Sequence, residues 1–498
     1  MMPRSFKRLF IVTALLSLIL TSGPLSGQNS AEESCTIGVA AGSATPDGRP
    51  LVWKTRDYAS SPDNEVVYCS SFKYKYVGVL DAGDLWTPWM GVNEHGFSIV
   101  NANITDLPTN SSGLGNGGLM GHALGKCRTV AEFMHFLDST NITGRSTHAN
   151  YGVIDSTGAA AIFETGGNSY YKYDAAEVPE GYIVRTNFSL KGGGTGGMER
   201  YKRSSELIKM FASGDSLNHK SILRYQMRDF SDEYSEPVSV PFNDSWSSGK
   251  PFGYIYCEKS ICRPSSVSAT VIHGVKPSEY AGLTTMWTIL GQPASTIAIP
   301  FWAIGNTPGE ADGPVTSSLC DKAAMIRSLL FDYAPDGDYI NSYKLIDGTG
   351  KGLWPCLFSL EDSVLNNTEA YLDSIRLSST LPVSHMIAKE SAIAARVLAS
   401  LENCMNRLTT SIEPNKVAGN INVYPNPARD KIYLNYPGED GMIITIFNPA
   451  GTIVLSCRFT GTGPHELDIK SLKSGIYIIV LTGSKGLAET HILVKSPE

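Results

Sequence analysis

In Ser34-Cys35-Thr36-Ile37-Gly38-Val39 a cysteine opens an apolar, β-branched run soon after a segment patterned like an export signal. Two readings of Cys35 stand open on these residues. It is one half of a disulfide near the start of an exported protein, or it becomes a new N-terminus that supplies both a thiol nucleophile and an α-amino base. The second reading is chemically economical. A free α-amino group titrates at about 7.7–8.0 and a thiol at about 8.5, so one residue offers nucleophile and proton acceptor near neutral pH. Amide hydrolysis needs those two functions plus donors for the tetrahedral oxyanion. The turn Pro46-Asp47-Gly48 between apolar runs at 36–40 and 51–53 predicts a β-hairpin. That hairpin returns Lys54-Thr55-Arg56-Asp57-Tyr58 towards Cys35, placing a cation, Lys54, and a carboxylate, Asp57, near the thiol.

Other polar residues are placed by strand periodicity. Asn101 and Asn103 lie two apart in a predicted strand after the turn Asn93-Glu94-His95-Gly96, hence on one face. They aim at a ligand or cap a loop. Glu164 closes an apolar strand and projects inward. Residues 109–118 read as a mobile loop at the mouth of a cleft, and the glycine run at 191–197 as a flexible connection with no phosphate-loop spacing. Nine cysteines leave one over if the rest pair, and Cys257 and Cys262 are spaced for a local bridge. There is no zinc-site spacing and no cofactor motif; the nine histidines are scattered and none sits in a motif that marks it as a base.

The elements that must hold these residues fill 498 positions, enough for two or three units. Arg4, Lys7 and Arg8 precede an apolar run at 9–20 and small residues at 21–27, the pattern of a signal peptide over 1–27. No later stretch predicts a membrane span, so a soluble exported protein is expected. The net charge of −7 and the lack of a basic stripe argue against a nucleic-acid partner. Antiparallel strands dominate to about 300, helices follow over 317–408, and one helix is expected around Val130, Phe133, Met134 and Leu137 with Thr129 as its N-cap. After a polar linker at 409–420, short strands and turns such as Asn448-Pro449-Ala450-Gly451 predict a small β-sandwich at 421–498.

That C-terminal unit resembles the type A sorting domain of the type IX secretion system of Gram-negative bacteria. The resemblance rests on Val423-Tyr424-Pro425-Asn426-Pro427-Ala428, Phe447-Asn448-Pro449-Ala450-Gly451, Leu472-Lys473-Ser474-Gly475-Ile476-Tyr477 and Ile492-Leu493-Val494-Lys495. It implies export through the periplasm to the surface or medium, with the translocon as a partner. Residues 35 to about 300 resemble the cysteine N-terminal-nucleophile hydrolases related to choloylglycine hydrolase, penicillin V acylase and isopenicillin-N acyltransferase. The motifs are Cys35-Thr36, Asp47-Gly48, Lys54-Thr55-Arg56-Asp57-Tyr58, Gly91-Val92-Asn93-Glu94-His95-Gly96 with Asn103, Thr186-Asn187 and Glu199-Arg200-Tyr201. The resemblance implies an α+β fold, a four-layer αββα sandwich, with the helices to 408 added. It also implies site roles: Cys35 as nucleophile, Asp57 holding the α-amino group, Asn103 and Asn187 around the oxyanion, and Arg200 as the late arginine. Lys54 stands where the bile-salt and penicillin enzymes have arginine, and Thr55 where they often have asparagine.

The expectation is an exported amidohydrolase that cleaves linear amides through an acyl-thioester on Cys35, after a propeptide at 28–34 removes itself. The alternatives are an acyltransferase, a dipeptidase, or an inactive surface-binding protein on the same fold.

Overall fold

The computed structural model describes residues 34–58, 60, 62–231, 253–333, 337–347, 350–376, 380–411, 423–436, 442–448, 453–461, 463–483 and 488–496. The expected signal peptide, nearly all of the propeptide, most of the linker and the turn at 449–452 lie outside the described residues.

The chain opens with β1 (Ser34–Ala40) and β2 (Leu51–Asp57), the expected hairpin. It continues through β3 (Asn64–Cys69), β4 (Tyr76–Asp81), β5 (Met90–Asn93) and β6 (Ser98–Asn103). Helices α1 (Asn116–Lys126) and α2 (Val130–Thr143) follow. The Thr129 hydroxyl accepts the Glu132 N–H at 3.1 Å, the N-cap that the sequence predicts for α2. Then come β7 (Ala149–Ile154), β8 (Ala160–Thr165), β9 (Tyr170–Asp174), β10 (Tyr182–Arg185) and α3 (Met198–Ser213). Strand β11 (Tyr254–Tyr256) precedes β12 (Ser266–His273), β13 (Thr285–Leu290) and β14 (Ile299–Phe301). The added helices are α4 (Ser318–Leu330), α5 (Leu353–Arg376) and α6 (Val383–Ser411), with β15 (Tyr339–Asn341) pairing β11 between them.

These strands make two large antiparallel sheets. One has the order β10-β1-β2-β12-β13-β14, the other β3-β4-β5-β6-β7-β8-β9. They stack face to face, with β1 and β2 against β6 and β7. Helix α1 lies on β5 and β6, while α3 lies on β1 and β10 and α5 and α6 lie on β14. The result is the αββα sandwich. Because both faces of each sheet are covered, β1 and β2 are buried almost throughout and read as unbroken runs rather than alternating ones.

Residues 423–496 form a separate pair of sheets, β16 (Val423–Tyr424), β17 (Lys431–Tyr436) and β20 (Gly463–Asp468) in one. The other joins β18 (Met442–Phe447), β19 (Ile453–Phe459), β21 (Gly475–Gly483) and β22 (Ala488–Lys495). Ile432, Leu434, Ile444, Ile446, Ile479 and Leu493 close the core between them, so this unit is the expected all-β sandwich.

Three expectations need correcting. Cys257 and Cys262 are not bridged; among the described residues the disulfide is Cys356–Cys404, which ties α5 to α6. Residues 109–118 are tied down: Asn110 N–H donates to the Arg145 carbonyl at 3.1 Å, and 116–118 are already the first turn of α1. The glycine run is packed, since Asp106 Oδ2 accepts the N–H groups of Ser189 at 2.7 Å and Gly194 at 2.9 Å. A Cβ on Gly192 would stand 2.1 Å from the Asp106 carbonyl oxygen, so this run is glycine because backbone meets backbone there.

Candidate active site

Register decides what surrounds Cys35. Ser34 faces Asp57 and Cys35 faces Arg56 across β1 and β2. Paired residues share a face, so Arg56, and Lys54 opposite Ile37, lie with the Cys35 thiol on the side turned to the second sheet. Thr36 and Asp57 turn to the other side, towards α3.

The Cys35 nitrogen, an amide in this unprocessed chain, donates to Asn187 Oδ1 at 2.9 Å. Asn187 Oδ1 also accepts from Arg200 Nη2 at 2.8 Å, and Asn187 Nδ2 donates to the Asn103 carbonyl at 2.8 Å. Arg200, in the first turn of α3, donates from Nη1 to Thr36 Oγ1 at 3.0 Å and lies 3.9 Å from Asp57 Oδ2. The loop carrying Asn187 is braced from two sides. Asn150 Nδ2 donates to the carbonyls of Thr186 and Phe188 at 2.9 and 2.8 Å. Glu164 accepts from Arg185 at 2.9 Å and from the Leu190 N–H at 3.0 Å, so this inward glutamate holds the loop.

Asp57 is buried and its environment is unusual. Ser266 Oγ donates to Oδ1 at 2.6 Å, and Arg263 Nη1 stands 4.0 Å from Oδ2. Oδ2 itself receives no hydrogen bond. Burial pushes the carboxyl up to about 6, against the opposing charges of Arg263 and Arg200 and the Ser266 bond. Neither guanidinium donates a hydrogen bond to the carboxylate, at 3.9 and 4.0 Å, so burial outweighs them.

The structure thus gathers Cys35, Asp57, Asn187 and Arg200 into one buried network. Asn103 joins it through its carbonyl, while its side-chain Oδ1 accepts from Asn116 at 3.3 Å. Lys54 is held elsewhere on the same face, donating to Asn101 Oδ1 at 2.6 Å and the Trp89 carbonyl at 3.3 Å. Three participants escaped the sequence reading. Arg56 stands directly across from Cys35, donates to Asp81 Oδ1 at 2.8 Å and stacks 4.7 Å from the Trp89 ring centroid. Arg263 and Ser266 reach Asp57 from a segment more than two hundred residues away. Arg56 was legible within its motif; the other two had no local signal.

Residues 43–247 match the family of acyl-coenzyme A:6-aminopenicillanic acid acyl-transferases, a stretch that contains Lys54, Asp57, Asn103, Asn187 and Arg200. Cys35, Arg263 and Ser266 lie outside it. Residues 422–495 match the secretion system C-terminal sorting domain. The sequence matches none of the curated proteins. Among solved structures, a mutant conjugated bile acid hydrolase from Clostridium perfringens aligns at 13% identity and a TM-score of 0.34, covering 54% of this chain and 94% of that one. Penicillin V acylase from Agrobacterium tumefaciens aligns at 13% identity and a TM-score of 0.35, covering 54% and 85%. No helix among the described residues is long and apolar enough to cross a membrane. The chain thus carries a region similar to the acyl-coenzyme A:6-aminopenicillanic acid acyl-transferases, followed by a stretch that matches the secretion system C-terminal sorting domain.

Proposed function

We propose that the protein is an exported amidohydrolase whose Cys35, freed as the N-terminus, attacks a linear amide and carries the acyl group as a thioester. One observation supports this above the others: the backbone nitrogen of Cys35 sits in the buried Asn187–Arg200–Asp57 network. Any buried backbone N–H needs an acceptor; what favours a base here is that this acceptor is itself held by Arg200, which lies beside the buried Asp57. Removal of 28–34 would free that nitrogen as an ammonium in the same cluster as Asp57, whose Oδ2 receives no hydrogen bond.

In the reaction, the α-amine accepts the thiol proton and the thiolate attacks the amide carbon. The α-ammonium then protonates the departing amine, and water, activated by the same amine, releases the acid. Asp57 and Arg200 orient the amine. Asn187 and Asn103 flank the oxyanion, and Arg56 and Lys54 favour the thiolate from the sheet face they share with it. Export follows the C-terminal sandwich, which the secretion translocon reads.

The family description favours one second reading, in which an amine takes the acyl group from the thioester in place of water. Incubating mature protein with a fluorogenic amide, with and without a primary amine, separates the two by product mass. Cys35→Ala protein is expected to form neither product. Turnover by that variant would refute both.

A further inference from the structure

The turn between β5 and β6 lies at the opposite end of the sandwich from Cys35. Strand β6 runs from Ser98, next to this turn, to Asn103, whose carbonyl belongs to the Cys35 network. Five steps at about 3.3 Å put roughly 17 Å between those ends. Beside the turn is a cavity of about 390 Å³, within the range of roughly 300–1,000 Å³ that small-molecule pockets occupy. Tyr68, Lys75 and Glu94, from the seven-stranded sheet, line one side of it. Tyr280, Ile304, Leu381 and Val383 line the other.

The two walls differ in chemistry. On the sheet side, the Lys75 N–H donates to Glu94 Oε1 at 3.0 Å and the Glu94 N–H donates to the Lys75 carbonyl at 2.9 Å. The cation and the carboxylate therefore spring from neighbouring points of the backbone. Among the described residues neither side-chain charge has an ion-pair partner. Burial, and after it the Glu94 charge, raises the Tyr68 hydroxyl above its usual range, so it remains a neutral donor. The facing wall is apolar. Ile304 and Leu381 are the half-buried edge of a small core in which Trp302, Leu372 and Met386 pack. Tyr280 and Val383, 41% and 38% exposed, carry that apolar surface to the rim. This wall lies outside residues 43–247, the stretch that matches the acyl-transferase family.

We propose that this cavity binds a free α-amino acid with a large apolar side chain, its carboxylate towards Lys75, its ammonium towards Glu94 and its side chain against Ile304 and Leu381. One charge of each sign on a small head, joined to an apolar body, is the complement of the two walls. A fatty acid would meet the Glu94 carboxylate, and a neutral sugar would leave both charges unanswered. The site is separate from Cys35 and does not depend on the proposed hydrolysis.

The test is isothermal titration calorimetry on the full Cys35→Ala chain, in which turnover does not intervene, with L-phenylalanine, L-leucine, glycine, N-acetyl-L-phenylalanine and L-phenylalaninamide. Phenylalanine and leucine should bind, and glycine should bind about tenfold or more weakly for want of a side chain on the apolar wall. Removing either charge, by acetylation or amidation, should weaken binding about fivefold. Lys75→Met should make phenylalanine and phenylalaninamide equal, and Glu94→Gln should do the same for phenylalanine and its N-acetyl form. Lys75 is exposed and the glutamine keeps an oxygen for the Lys75 N–H, so both variants should fold, which circular dichroism checks. No binding of phenylalanine or leucine at millimolar concentration overturns the site. So does glycine binding as tightly as phenylalanine, or a preference for the free acid and the free amine that survives both substitutions.

Discussion

The strands β1, β2 and β12 end in a charged cluster at each pole, and the two clusters are in opposite electrostatic condition. At the hairpin pole, His273 Nε2 lies 2.8 Å from Asp47 Oδ2, and Arg49 donates to both Asp47 and Glu279. His219 stacks on His273 at 4.6 Å, with Glu369 Oε1 2.8 Å from its Nε2 in off-line geometry. Burial works against both carboxylates there, yet the bonds and charge of His273 and Arg49 hold Asp47 well below its usual range. His219 and Lys220 likewise hold Glu369 down to about 2. At the Cys35 pole, burial wins and Asp57 is pushed up to about 6. At the first pole the carboxylates Asp47, Glu279 and Glu369 all have ion-pair partners. The second contains a carboxylate oxygen that receives no hydrogen bond, in the cluster where the Cys35 backbone N–H donates to Asn187. The difference fits the proposal that one pole serves stability and the other is arranged for a cation freed by processing.

Mutations should separate the two poles. The largest effect is expected from Asn187→Ala, which removes the acceptor of the Cys35 nitrogen and, on the proposed mechanism, an amide beside the oxyanion. Loss of one oxyanion donor costs roughly 10²–10³-fold in rate, so kcat on a fluorogenic amide should fall by that order. Next, Asp57→Asn should lower kcat/KM roughly a hundredfold through a misplaced amine. In the unprocessed Cys35→Ala background the same substitution should not lower the thermal midpoint, because it removes a charge that burial disfavours. Asp47→Asn should do the reverse, keeping kcat/KM and losing about 1 kcal/mol of stability, a modest figure because Asp47 is partly exposed. Equal activity losses at the two aspartates would erase the contrast.

The smallest effect is a pH slope. Burial lowers the buried His219 imidazole from 6.5 to about 4, with the neighbouring His273 adding to the burial and Glu369 opposing it. The unfolded chain therefore binds the proton more tightly. The stability that neutral His219 provides is full above pH 6.5 and declines as pH falls from there towards 4. His219→Gln should flatten the thermal midpoint between those values. Asp57 has the opposite sign in the unprocessed chain: its carboxyl rises from 3.8 to about 6, so its contribution weakens as pH rises through that interval.

Much of the site was legible because it is local or carried in motifs. The β1–β2 hairpin follows from Pro46-Asp47-Gly48, and Asp57, Asn187 and Arg200 come from short matched segments that the fold brings together. What sequence could not supply was register and strand order. Arg56, rather than Lys54, faces Cys35 because the hairpin pairs Ser34 with Asp57, a one-residue matter that no pattern of buried strands specifies. Arg263 and Ser266 depend on β12 pairing β2, a contact between segments far apart in the chain. The glycine run misled because its composition suits a linker, while its packing on Asp106 is a tertiary fact.

The central claim is that the backbone nitrogen of Cys35 is a functional group in the mature protein. Intact mass and N-terminal sequencing of secreted wild-type and Cys35→Ala protein test it most directly. The account predicts a wild-type N-terminus at Cys35 and a variant that retains residues 28–34. A mature wild-type chain that begins upstream of Cys35 and still hydrolyses amides would contradict it.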